Sequence, residues 1–383
     1  MAAEREAPDP RALLVDSRAP FGSGLGRYMR ELVRALLDRD DFREIVLAGD
    51  AEALEPFLAT LKRRPRVVPL PHARYAWQVP LQWDAVRQAV GVPHVTWFPH
   101  WDGAWSATPC ATTLHDLIAF EGQGPKAAAR RAVARTWMGR MIAASGALLT
   151  GSEGSAARIR EEFTDAAAKL HVVPHGVAEV FLARGHRGGP MRAIPEARTA
   201  LALPAGARYL LTVANKKPHK RLETAIQAFA SLAAQDPQLH LVMVGERFPH
   251  LKTLRALALL LGVADRVHDV AGVTDEALAD IYAGAEALLI GSREEGFGMV
   301  ALEAMACGTP VVTVDSAPLP EVVGDAGIVV PFDDARAMEN AVASLTNDTG
   351  ARAVRVRRGL ERAATFTWAN AAARTAALLR ALR

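Results

Sequence analysis

Glu295 and Glu303 bracket the run Gly296-Phe297-Gly298-Met299-Val300-Ala301-Leu302, and this stretch carries the most chemistry in the chain. Ala287 to Ile290 just before it is short and apolar, the pattern of a buried parallel strand. Met299, Leu302 and Met305 recur at helical spacing and predict one buried helix face. Gly308-Thr309-Pro310 stops that helix, and Val311 to Val314 begins another strand. Gly296 and Gly298 let the backbone approach a ligand closely. The N–H groups of residues 297–299 at the helix start make a phosphate site, through unpaired donors and the macrodipole. A carboxylate beside a diphosphate would repel it, so Glu295 and Glu303 read as acceptors of hydrogen bonds from hydroxyls, those of a sugar and a ribose.

Other candidates lie where strands end. Lys216, Lys217 and Lys220 follow the apolar run Tyr209 to Val213, and three ammonium groups gathered there would repel one another unless anions sat between them. His100 and Asp102 follow the strand-like Val95 to Phe98, and His115-Asp116 follows Ala111 to Leu114. Open α/β sheets bind ligands at such carboxyl ends.

The pattern Glu-Gly-Phe-Gly-x-x-x-x-Glu-Ala-Met-Ala-x-Gly-x-Pro-Val-Val from Glu295 to Val312 resembles the signature of the family 4 glycosyltransferases. That resemblance implies the GT-B fold: α/β, with two doubly wound Rossmann-like domains facing across a cleft. It implies a retaining hexosyltransferase that uses a nucleoside diphosphate sugar and needs no divalent metal or other cofactor. The residue roles carried over are catalytic for His115, Lys220 and Glu295, with Lys220 on the donor phosphates and Glu295 on the sugar. Glu303 is expected on the ribose, Gly272 and Val273 by the base, and Gly296, Phe297, Gly298 and Met299 around the diphosphate. Gly24 and Gly26 lie in Gly-Ser-Gly-Leu-Gly-Arg-Tyr, which is similar to the family's N-terminal glycine loop beneath the donor. Many relatives carry an Arg upstream of the lysine; here Asn215 and Lys216 are the two residues that could replace it. His100, Asp102 and Asp116 are expected on the acceptor side. The style of the glycine loop and of the Pro218-His219-Lys220 turn resembles polysaccharide mannosyltransferases. A mannosyl group from GDP-mannose and a glycan or lipid-linked saccharide acceptor follow as expectations. An epimerase of the same architecture, or a non-catalytic nucleotide-sugar-binding relative, is the alternative.

An NAD enzyme is the rival suggested by Gly22, Gly24 and Gly26, but the glycines read G-x-G-x-G rather than G-x-G-x-x-G. The Asp38-x-Asp40 pair follows a helix end and reads as solvated rather than metal-binding. A chain of 383 residues, half of them hydrophobic, suits two domains. The expected division is 1–187, with the terminal helix 367–383 packing back on it, and 188–366, joined by the Gly- and Pro-containing segment 184–195. Net charge is +3, which does not by itself call for nucleic acid. Cys110 and Cys307 sit in apolar surroundings, as buried thiols in a reducing cytoplasm would. Met1 to Arg11 lacks the apolar core of a signal peptide. Pro125 to Ala144 predicts a helix carrying Lys126, Arg130, Arg131, Arg135 and Arg140 interleaved with Val133, Trp137, Met138 and Met141. Its basic side suits either solvent or an anionic membrane surface at the inner face of the plasma membrane.

Overall fold

The computed structural model describes residues 9–19, 23–70, 79–103, 109–122, 124–186, 201, 203–204, 206–382. Phe21 and Gly22 of the glycine loop, and residues 187–195 of the expected linker, lie outside the described residues. The chain divides into two units: residues 1–176 with 368–383, and residues 177–367.

In the first unit the described strands are β1 (Ala12–Asp16), β2 (Ile45–Gly49), β3 (Arg66–Pro69), β4 (His94–Phe98), β5 (Cys110–Thr113), β6 (Ala147–Thr150) and β7 (Leu170–Val172). They form one parallel sheet in the order β3-β2-β1-β4-β5-β6-β7. The second unit has β8 (Arg208–Val213), β9 (Leu239–Val244), β10 (Val267–Val270), β11 (Ala287–Ile290), β12 (Val311–Val314) and β13 (Ile328–Val330), in the order β10-β9-β8-β11-β12-β13. Helices cover a parallel sheet on both faces, so an interior strand must be apolar on both sides. Burial follows this strand by strand. β1, β2, β4, β9, β11 and β12 are buried at every residue, whereas β3 and β10, each at a sheet edge, are partly exposed.

Strand order reverses between β1 and β4 in one unit and between β8 and β11 in the other. Chain connections leave such a switch point in opposite directions and open a crevice beyond the strands' carboxyl ends. The loops after β4, β8 and β11 carry most of the residues singled out above.

Helix Glu179–His186 belongs to the second unit, so the boundary falls at 176–177 and not at 187–188. The reason is close packing. A Cβ added at Gly185 would lie 2.0 Å from the carbonyl oxygen of Ala306, so this helix rests directly on the backbone of helix Met299–Ala306. Helix Trp368–Ala381 closes the chain in the first unit, packed on helix Gly24–Leu37. Arg11 ties the chain's two ends together: its guanidinium donates to the carbonyl of Leu382 at 2.7 Å and of Arg380 at 3.0 Å.

Candidate active site

The second unit's site is built on the loops after β8 and β11. Pro218–Lys220 makes a single 3-10 turn, and Arg221 follows in the left-handed conformation (φ 46°), held by an ion pair to Asp333. The amide of Arg293 donates to the carbonyl of His219 at 2.9 Å and locks the two loops together. Across that junction Lys220 Nζ meets Glu295 Oε2 at 2.7 Å, and Ser292 Oγ donates to Glu295 Oε1 at 2.6 Å. Lys220 and Glu295 side chains are each 13% exposed, so the pair is desolvated enough to be strong yet still reachable.

Gly298 then turns the chain with φ 94° and ψ 38°, which suits a residue without Cβ, and a Cβ there would meet Leu319 Cδ2 at 2.9 Å. Helix Met299–Ala306 starts directly after it. Leu302 and Met305 are buried, each contributing about 1.5–3 kcal/mol, while Met299 at the mouth is only half-buried. The Phe297 ring is buried and packs edge-on against Phe366 (6.0 Å between centroids, 61°). It anchors the turn formed by Gly296, Phe297 and Gly298. Glu303 is buried at 2% exposure and accepts a hydrogen bond from the Tyr282 hydroxyl at 3.0 Å. One turn on, burial and the Glu303 charge push the Cys307 thiol far above its ordinary range, so it is inert.

The three lysines each have a partner within the chain. Lys216 is buried and its ammonium donates to the carbonyls of Met243 (3.1 Å) and Gly245 (2.6 Å), with Asp269 at 3.1 Å. Lys217 lies over the Phe248 ring at 4.4 Å, and Lys220 pairs with Glu295. Each charge has its own partner, so Lys216 is a structural cation beneath the strand ends and leaves the candidate donor set. Burial lowers its pKa, opposed by the hydrogen bond to Asp269. Asn215 is the better candidate for the position upstream of Lys220. Its side chain is part-buried, and its Oδ1 has no donor among the described residues. Gly272 (φ 71°) and half-buried Val273 follow β10, which ends at Val270, so they stand in a loop rather than in the strand.

In the first unit, Ser23 caps helix Gly24–Leu37 by accepting from the Gly26 amide at 3.0 Å. Gly24 and Gly26 are therefore its first turn: Gly24 is exposed and Gly26 is buried. Beyond β4, His100 Nδ1 lies 2.7 Å from Asp102 Oδ1, and buried Asp102 lies in the field of the Arg18 guanidinium, itself paired with Asp16 at 2.6 Å. His115, half-buried after β5, has its Nε2 2.8 Å from the Pro99 carbonyl, and its ring is 6.2 Å from that of His100. These loops bring His100, Asp102 and His115 together. Half-buried Asp116 also has a local bond: its Oδ1 accepts the Ile118 amide at 3.0 Å, at the 3-10 turn Ile118–Phe120.

Sequence reading missed the residues behind His115. Tyr28, Trp97, Thr113, His175 and Trp368 are all buried and converge there from distant parts of the chain. Burial, and next the charge of His115, hold His175 well below the ordinary histidine range, so it is neutral. The available signal was a His, a Tyr and a Trp far apart in the chain, which no spacing rule connects.

Residues 22–179 match the description "Glycosyltransferase Family 4", and residues 193–362 match "Glycosyl transferases group 1". The O-antigen chain mannosyltransferase B of Escherichia coli is 25% identical over 92% of this chain and 94% of its own. An MMP alpha-(1->4)-mannosyltransferase of Mycolicibacterium hassiacum is 34% identical over 59% of this chain and 54% of its own. A D-inositol 3-phosphate glycosyltransferase of Acidothermus cellulolyticus is 32% identical over 60% of this chain and 52% of its own. The chain thus spans about half the length of the last two relatives. Among solved structures, sucrose-phosphate synthase of Thermosynechococcus elongatus superposes with a TM-score of 0.77 at 23% identity, covering 97% of this chain and 98% of that one. Anabaena HepE, in complex with UDP and glucose, does so with 0.75 at 18% identity, covering 98% and 100%. With one description matched in each half of the sequence and a GT-B architecture over its length, the chain belongs to family 4 of the glycosyltransferases.

Proposed function

We propose that this protein transfers a hexose from a nucleoside diphosphate sugar to a saccharide or lipid-linked saccharide, with retention at the anomeric carbon. The observation that carries this reading is the Lys220–Glu295 pair set beside the start of helix Met299–Ala306, at the switch point of β8 and β11. As the glycosidic bond breaks, the diphosphate gathers negative charge. A preorganised ammonium and the first amides of the helix stabilise that charge more than the ground state, which lowers the barrier. Glu295, oriented by Ser292 and Lys220, accepts from sugar hydroxyls, and Glu303 from those of the ribose. Asn215 and the Gly272–Val273 loop complete the donor side; His100, Asp102 and His115 receive the acceptor.

Mannose is the sugar favoured by the relatives named mannosyltransferases, and GDP is the nucleotide expected from the same resemblance. Positive potential at the phosphates comes from Lys220 and the helix start, so the reaction is proposed to need no divalent ion. A cytoplasmic location is proposed, with contact at the inner face of the plasma membrane if the acceptor is lipid-linked. Among the described residues no helix is long and apolar enough to cross a membrane. The decisive experiment offers a panel of nucleotide sugars, with and without EDTA, and reads product and anomeric configuration by NMR. Transfer from GDP-mannose in EDTA with retention is the expected result. Epimerised nucleotide sugar without transfer, inversion, or activity restored only by Mg²⁺ or Mn²⁺ would each refute its part of the reading.

A further inference from the structure

We propose that Tyr28 is a positioning residue that holds the His115 imidazole in one orientation and one tautomer, an inference that rests on the reading that His115 meets the reacting sugars. A carbonyl oxygen only accepts, so the 2.8 Å contact between His115 Nε2 and the Pro99 carbonyl places a proton on Nε2. In the neutral form of the ring, Nδ1 then carries the lone pair and no proton. Rotating the ring by half a turn would put a carbon against Pro99.

Tyr28 restrains the rotation. Its ring stands edge-to-face with His115, 4.6 Å between centroids at 87°, the arrangement aromatic rings favour. The far end of Tyr28 is pinned: its hydroxyl lies 3.1 Å from Thr113 Oγ1, which also accepts the Trp97 indole N–H at 3.0 Å. On its flanks Tyr28 meets His175 at 4.4 Å and Trp368 at 6.0 Å, and His175 closes edge-on to His115 at 5.5 Å. Tyr28 is 3% exposed and Trp97, Thr113 and His175 are buried, so these contacts have little room to relax. The ring that orients His115 is thus supplied by the helix after the glycine loop and braced by Trp368 of the chain's last helix.

The test combines nitrogen-15 NMR of the histidine rings with kinetics on the full chain. Wild type is expected to show His115 protonated at Nε2; an Nδ1-protonated His115 overturns the proposal without any variant. Tyr28→Leu is expected to give mixed tautomers and a fall in kcat on the order of 10²-fold, the scale of a displaced catalytic group. Tyr28→Phe keeps the ring and is expected to keep the tautomer. Trp83→Phe, in the same unit's core against Phe98, should lower Tm while leaving tautomer and kcat unchanged. Wild-type tautomer and kcat in folded Tyr28→Leu sink the idea, as does an equal loss of kcat in Trp83→Phe. Full transfer by His115→Ala would instead refute the role of His115 and leave the tautomer result standing.

Discussion

Lys220 and Glu295 neutralise each other across two loops, and that pairing sets what removal of either should do. Lys220→Ala takes a positive charge from the place where a diphosphate becomes more negative and leaves Glu295 with its Ser292 bond and an unopposed charge. A loss of about 2–4 kcal/mol in transition-state stabilisation is expected, read as a fall in kcat/KM. Near-normal kcat/KM would remove Lys220 from the chemistry. Glu303→Gln is expected to weaken binding of the nucleoside diphosphate, because an ionised acceptor becomes a neutral amide. Calorimetry with the nucleoside diphosphate alone measures this, and unchanged affinity would remove Glu303 from nucleotide binding. Glu295, Glu303 and Lys220 were legible in the sequence as candidates, because glycines and strand ends surround them. The burial of Lys216 was not. Nothing near position 216 announces that its counter-ion is Asp269, two strands over on β10.

At the scale of elements, His175 carries a consequence for stability. It is buried between Tyr28 and Trp368, and burial with the neighbouring His115 depresses its folded-state pKa well below 6.5. A depressed histidine binds fewer protons folded than unfolded, so its contribution is fully present above the unfolded pKa of about 6.5 and is lost as pH falls from there toward the folded value. Within that window the slope is up to about 1.4 kcal/mol per pH unit. His240 and His268, 2.9 Å apart on β9 and β10, are depressed in the same direction, by burial first, and add to the slope from the second unit. Melting should therefore weaken steadily below about pH 6.5, and His175→Phe should flatten part of that loss; an unchanged profile in His175→Phe would contradict the account. The elements themselves were largely readable. β11 and β12 stand where the apolar runs put them, and helix Pro125–Ala144 begins at the proline that marks it. Burial along that helix was less readable: Met138 and Met141 are buried, but Val133 is 67% exposed, because scattered arginines hide which side faces the core. The boundary at Gly176 was obscured as well, since the Gly- and Pro-containing segment lies beyond a helix already packed in the second unit.

For the whole molecule, the open matter is how a chain with a net charge of only +3 would reach a lipid-borne acceptor. Helix Pro125–Ala144 concentrates Lys126, Arg130, Arg131, Arg135 and Arg140 without an acid of its own, and Val133 projects among them. Part of this charge has structural work. Arg130 and Arg131 donate to carbonyls of residues 119–122, and Arg135 pairs with Glu162. Those bonds hold the turn that follows His115 and Asp116, so reversing Arg130 or Arg131 would confuse folding with binding. Lys126 and Val133 are exposed and make the cleaner probe. A basic residue at an anionic surface contributes about 1 kcal/mol, screened by salt, and an inserted apolar side chain adds burial. The prediction is reversible co-sedimentation with anionic vesicles at low salt, released at high salt, absent with neutral vesicles, and much reduced in Lys126→Glu/Val133→Asp. The double variant should keep its turnover on a water-soluble acceptor, since neither side chain belongs to the site. Binding that ignores lipid charge, or that persists in the double variant, would rule out this helix as the contact and favour an acceptor free in solution.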